Sequence, residues 1–277
     1  MTDAAALPVL VGWPLAPTVM VLTALGWQGA TVVTRVSARR RPSGHRRLFA
    51  RRGCGSERRR LRELFVRYVG EDVVSRALEH GGEMGGQERD VAVLFVDLVG
   101  STALVGARRP GEVVVLLNEF FRIVVDVVNR HGGFVNKFEG DAALAVFGAP
   151  RSHHDGAGAA LTAARELRDE LIGALRCTGF GIGVSAGLAF AGDIGARERL
   201  EYTVIGDPVN EAARLSEIAK SQDARVVASE RAVRTARDAE GLRWDIGELV
   251  ELRGRTTPTR VARPAVHPGA RAVEMSA

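Results

Sequence analysis

The chain predicts an α/β fold in which a sheet carries helices in the order β-α-β-β-α-β. Three observations carry that prediction. VAVLFVD (91–97) is a continuous apolar run of strand length, and ALAVFG (143–148) is another. GEVVVLLNEFFRIVVDVVNRHGG (111–133) and HHDGAGAALTAARELRDELIGAL (153–175) have helical length and period. The two kinds of segment alternate from residue 91 onward, as a sheet with packed helices requires.

Taken in order, Leu61, Leu64, Phe65 and Tyr68 fall at helical spacing with arginines on the opposite face, so a helix is expected from about Glu57. A second short helix, 71–80, ends at the GGEMGG break. The strand at 91–97 reads as buried, and the helix at 111–133 is apolar on most of its circumference. Such a helix is central to a core or part of an oligomer interface. FVNKFEG (134–140) and ALAVFG are two strands joined by a tight Glu139–Gly140–Asp141 turn. The Ala-rich helix 153–175 is followed by a Gly-rich strand (179–195), the strand YTVIG (202–206) and the helix DPVNEAARLSEIAK (207–220). Residues 225–252 add strands around a short helix. This order corresponds to a ferredoxin-like sandwich whose sheet contains antiparallel pairs.

Composition bounds the partners. The net charge of +5 is unevenly spread: residues 1–67 hold thirteen arginines against three acids, +10, so the remainder sums to −5. The basic charge lies in an N-terminal segment, and no nucleic-acid face on the globular body is expected. Two cysteines, Cys54 and Cys177, give no disulfide framework and fit a reducing compartment. Cys177 reads as a core thiol. Only Lys137 and Lys220 among the 38 basic residues are lysines, which makes Lys137 conspicuous.

Residues 4–34 carry no charge, and a stretch over 9–33 is long enough to cross a bilayer, with Trp13 and Trp27 near its ends. The arginines from Arg35 onward would hold the C-terminal side of that stretch in the cytoplasm. Pro14, Pro17 and three glycines weaken the helix, and a disordered leader or a remnant of a longer protein is the competing reading. The chain is therefore divided into an apolar then Arg-rich segment with a linker (1–56), a helical segment (57–88), an α/β domain (89–265) and a flexible tail (266–277).

Two residues stand out chemically. Asp97 and Asp141 each place a carboxylate beside an apolar strand, where desolvation is costly unless a cation or a hydrogen-bond network compensates it. Either alone has an ordinary explanation, Asp97 as a helix cap and Asp141 as a turn residue. Together, at strand ends that can be neighbours, they match a two-metal phosphoryl or nucleotidyl transfer site holding Mg²⁺ or Mn²⁺. Gly100, Ser101 and Thr102 follow Asp97 in a strand-to-helix turn whose N–H groups favour phosphate. Asn210 and Arg214, at i and i+4, share a helix face on which an amide and a guanidinium can position a ribose and stabilise phosphoryl charge. His153-His154-Asp155 reads as a solvated helix start, since adjacent histidines face different ways.

The runs FVDLVGST (95–102), VNKFEGDAALAVFGAP (135–150) and EYTVIGDPVNEAARL (201–215) closely resemble the catalytic domain of class III nucleotide cyclases, over roughly 89–265. Residues 57–88 resemble the segment preceding that domain in mycobacterial-type membrane cyclases, although no complete HAMP domain precedes it here. The resemblance implies two Mg²⁺ or Mn²⁺ ions per site on Asp97 and Asp141, with the Leu98 carbonyl as an added ligand. It implies that Lys137 recognises adenine, with Thr203 as its partner. Many members carry Asp at that partner position, and this chain fits a Thr-bearing adenylate cyclase subclass. Guanylate cyclases use Glu and Cys-like residues instead. Asn210 would orient the ribose, Arg214 would stabilise the transition state, and Arg253, with Arg255 as the alternative, would meet the terminal phosphates. The implied activity is conversion of ATP to cyclic AMP and pyrophosphate in a homodimer, the metal-binding aspartates coming from one subunit and the base-selecting and transition-state residues from its partner. A non-catalytic nucleotide-binding signalling module and a guanylate cyclase are the rivals. A GGDEF-type cyclase has a related core, but FEGDAAL is not its signature turn.

Overall fold

The computed structural model describes residues 46–81, 84–100, 108–175, 178–237 and 239–265. The chain divides into two units, Met1–Arg51 and Arg52–Ala277. The first lies almost wholly outside the described residues, as do the candidate membrane span, Cys177, the tail and the Ser101–Thr102 part of the expected phosphate turn.

The central strand is β1 (Gly85–Leu98), paired antiparallel with β3 (Ala142–Phe147) on one side and β4 (Phe180–Ala196) on the other. Its side chains alternate between two cores. Ala92, Leu94, Val96 and Leu98 enter one hydrophobic cluster, while Val91 and Val93, with Phe95 against them, enter a second. Burial on both faces explains why this strand reads as an uninterrupted apolar run. The first face is covered by α3 (Pro110–Arg130) and α4 (Gly156–Ala174), through Phe120, Val124 and Val127 of one and Leu161, Leu167 and Leu171 of the other. The second face carries β5 (Arg199–Ile205) and α5 (Asp207–Ala219), through Tyr202, Val204 and Ala212.

With β2 (Phe134–Glu139), β6 (Val226–Ser229), β7 (Trp244–Val250) and β8 (Thr259–Pro264), the eight strands run β2-β3-β1-β4-β6-β8-β7, and β5 pairs with β4. A short helix α6 (Glu230–Thr235) follows β6. The first four positions, all antiparallel, form the expected ferredoxin-like core; β4 and β6 are parallel. The Gly-rich character of β4 has a packing cause. A Cβ on Gly183 would lie 2.0 Å from the Ala212 carbonyl oxygen, and one on Gly181 2.2 Å from that of Ser216. Glycine lets the backbone of α5 rest directly on the sheet.

Three expectations change in detail. The helix α1 spans Arg46–Val69, beginning inside the stretch expected to be linker, where arginine is a good helix former despite the lack of an apolar period. The helix α2 (Glu71–His80) is as expected. The apolar circumference of α3 is only partly core: its C-terminal half is buried, whereas Val114 and Val115 are 53% and 70% exposed. The pair His153-His154 precedes α4. Asp155 caps that helix by accepting the Gly158 N–H at 2.9 Å, and His153 Nδ1 accepts the Asp155 N–H at 3.1 Å.

Candidate active site

Asp97 lies at the end of β1, on the face that carries Val91 and Val93 and therefore on the side of α5. Its ladder partner on β3 is Ala142, which follows Asp141 directly. Between β2 and β3 the chain reverses through Gly140, whose φ of 67° is left-handed, and this tight turn delivers Asp141 beside Asp97. Burial raises the pKa of the Asp97 carboxyl; the Lys220 ammonium opposes that shift, and the neighbouring Asp141 adds to it. Lys220, at the end of α5, donates to Asp97 Oδ2 at 2.5 Å. Leu98 is buried, and Gly100 beyond it takes a left-handed φ of 69°. The two aspartates therefore lie side by side.

A second group forms where β5 passes β2. Asn136 Nδ2 donates to the Tyr202 carbonyl at 2.8 Å, and the Thr203 hydroxyl donates to Asn136 Oδ1 at 3.4 Å. One residue on, Lys137 pairs with Glu201. Lys137 and Thr203 are thus gathered by their neighbours, and the Thr203 oxygen keeps its lone pairs for an incoming donor.

The third group is on α5. Asn210 is exposed, and the half-buried Arg214 donates to Glu217 at 2.5 Å on its own helix. Among the described residues, neither is hydrogen-bonded or ion-paired to Asp97 or Asp141. Arg255 reaches α5 from the segment between β7 and β8. It donates to Asp207 at 2.8 Å through Nε and is ion-paired with the buried Glu211, which also accepts from Ser185 and, at 2.5 Å, from Thr259. The Arg255 guanidinium holds the Asp207 carboxyl below its ordinary range. Arg255 is occupied by carboxylates, whereas Arg253, in the turn it anchors, is exposed.

A family model described as the adenylate and guanylate cyclase catalytic domain matches residues 85–262. The chain belongs to this family. Among its relatives, the uncharacterized proteins Rv1318c and Rv1320c of Mycobacterium tuberculosis are each 53% identical over 208 residues, covering 75% of this chain and 38% and 37% of theirs. This cyclase-family chain spans well under half the length of those curated relatives. Among solved structures, the adenylyl cyclase CyaB of P. aeruginosa superposes with a TM-score of 0.59 at 22% identity, covering 66% of this chain and 97% of that one. The guanylyl cyclase Cya2 gives 0.55 at 31% identity, covering 66% and 94%. A bacterial light-regulated adenylyl cyclase gives 0.66 at 18% identity, covering 80% and 68%.

Sequence reasoning missed Lys220 at the aspartates, Asn136 between β2 and β5, and the Glu211–Arg255 network. For Lys220 a signal existed, since the lysine rarity that singles out Lys137 applies equally to it. No local pattern marks the other two.

Proposed function

We propose that the chain is an adenylate cyclase that converts ATP to 3′,5′-cyclic AMP and pyrophosphate. The observation that carries this reading is the meeting of Asp97 and Asp141 at the end of the central strand of a cyclase-family fold. The donor set fits divalent cations: two carboxylates lie together, one with its charged form disfavoured by burial, and a positive group already sits on it. Asp97, Asp141 and the Leu98 carbonyl would hold two Mg²⁺ or Mn²⁺ ions, whose chemistry is to acidify the ribose hydroxyl and neutralise charge on the leaving group.

The remaining work falls to the chain's own groups. The ribose 3′-oxygen forms a bond to the α-phosphorus while the bond to the bridging oxygen breaks and pyrophosphate leaves; the hydroxyl proton passes to solvent. Asn210 orients the ribose for that in-line approach, and Arg214 stabilises charge building on the phosphoryl oxygens. Arg253 takes the terminal phosphates, together with the backbone at Gly100; Ser101 and Thr102, expected to share that role, lie outside the described residues. Lys137 donates to adenine N1 and the Thr203 hydroxyl accepts from the 6-amino group, with Asn136 holding that hydroxyl in place.

The active form on this reading is a homodimer; it is in keeping with Arg214 bonding to Glu217 on its own helix rather than to an aspartate of its own chain. The segment 57–88 would transmit an upstream signal by pairing across that dimer, a role resting on the exposed stripe Leu61, Leu64, Phe65 and Tyr68. Among the described residues no helix is long and apolar enough to cross a membrane. A membrane anchor at 9–33, with the catalytic domain cytoplasmic, rests on the uncharged composition of that stretch alone.

The deciding experiment incubates the purified chain with Mn²⁺ and either ATP or GTP and measures cyclic nucleotide. Cyclic AMP formation, with ATP preferred in competition, is expected. ATP binding without turnover would favour a non-catalytic module, and preference for GTP would favour a guanylate cyclase.

A further inference from the structure

Lys220 is the cation found on the acidic end of the site, and its placement is built into the fold. Asp97 of β1 lies opposite Gly181 of β4 in the ladder. Directly above Gly181 runs the end of α5: a Cβ there would lie 2.7 Å from Lys220 Cγ and 2.8 Å from the Lys220 backbone nitrogen. Only a glycine on β4 lets this helix end descend far enough for the lysine to reach across one strand. Its ammonium then sits 2.5 Å from Asp97 Oδ2, the two side chains 26% and 23% exposed. Asp97 has Asp141 as a neighbour of like charge, so the pair attracts a positive group whenever no metal is bound.

An ammonium and a divalent ion cannot share that carboxylate oxygen at bonding distance, because their mutual repulsion would have to be overcome in a half-buried site. We infer that Lys220 is a resident counter-ion of the Asp97–Asp141 pair, which the incoming divalent cation must displace, so that it sets the threshold for metal binding. The lysine stem is flexible and its surroundings are open enough for the ammonium to swing to solvent. Lys220 is thus a positioning residue: it holds Asp97 in place and charge-balanced before metal arrives, and it makes the empty site selective for ions that compete strongly. This inference rests on the metal-binding reading of the two aspartates.

The test titrates Mn²⁺ into the nucleotide-free full chain and follows unbound Mn²⁺ by electron paramagnetic resonance. Lys220→Met should tighten Mn²⁺ binding by on the order of tenfold, the loss of one partly buried competing pair. Lys220→Arg, which keeps the charge, should stay near wild type. Thermal unfolding adds a second readout: without metal Lys220→Met should melt lower than wild type, and saturating Mn²⁺ should raise its midpoint by more. If Lys220→Met does not fold, Lys220→Gln decides the matter in the same titration. Unchanged or weaker Mn²⁺ binding in the neutral variants overturns the counter-ion role. Asp97→Asn separates the two levels: if it leaves Mn²⁺ binding intact, the metal-site reading itself fails, whereas weakened binding in Asp97→Asn with none of the Lys220 effects sinks only the inference.

Discussion

Lys137 and Thr203 belong to different strands, and the side chain that joins them is neither of the two. Asn136 bonds to the backbone of β5 at Tyr202 and to the Thr203 hydroxyl, and Lys137 is fixed by Glu201 from the same strand. A purine entering here would meet one charged donor and one oriented hydroxyl. Removing the donor while keeping the bulk, as in Lys137→Met, should lower kcat/KM for ATP by roughly 10- to 100-fold, the range for losing a hydrogen bond to a charged group. GTP turnover should change little, since a lysine donor has no acceptor to meet at guanine N1. Competition between the two nucleotides measures this directly, and an unchanged ATP preference would remove Lys137 from base recognition. Asp97 and Asp141 were legible at this scale because a carboxylate in an apolar run is costly wherever it occurs. Lys220 was marked only by the rarity of lysine, and its role was not legible, since that depends on a partner 123 residues away.

At the scale of elements, α5 is the piece that organises the site, and two devices set its position. Gly181 and Gly183 allow its backbone onto β4, and Arg255 ties its first turns to the β7–β8 connection through Asp207 and Glu211. The helix itself was legible from DPVNEAARL, as were most strands, because apolar period and turn residues are local signals. Its height above the sheet was not, because that depends on which glycines of β4 lie beneath it. Arg255→Ala would leave Glu211 buried without its cation, and a loss on the order of 3 kcal/mol in unfolding free energy is expected. The same change should weaken the acid dependence of stability. The depressed Asp207 pKa contributes stability above the ordinary carboxylate value, and this is lost as pH falls through the lowered one. Arg253→Ala should do the opposite: little change in melting temperature and a raised KM for ATP. Urea unfolding and initial rates on the same pair of variants separate strut from phosphate contact. If Arg255→Ala raised KM with stability intact, the two assignments would have to be exchanged.

At the scale of the whole molecule, the proposed homodimer bears on how the expected groups are shared between sites. The aspartates lie at the end of β1, while Asn210 is exposed on α5 and Arg214 is held by Glu217 on that same helix. In the proposed homodimer each copy would lend its aspartates to one site and its α5 face to the other, giving two composite sites. Asp97→Ala and Arg214→Ala should each be inactive alone, the latter by on the order of 10²-fold or more. Mixed and allowed to exchange, they form heterodimers in which one site carries both lesions and the other carries neither. With equal amounts and random pairing, about half the dimers are mixed and half their sites intact, so recovery should reach about a quarter of wild-type cyclic AMP production. Recovery near zero, with heterodimers demonstrated by differential tags, would mean that each chain completes its own site. In that case Arg214 would have to leave Glu217 and turn toward the aspartates of its own subunit.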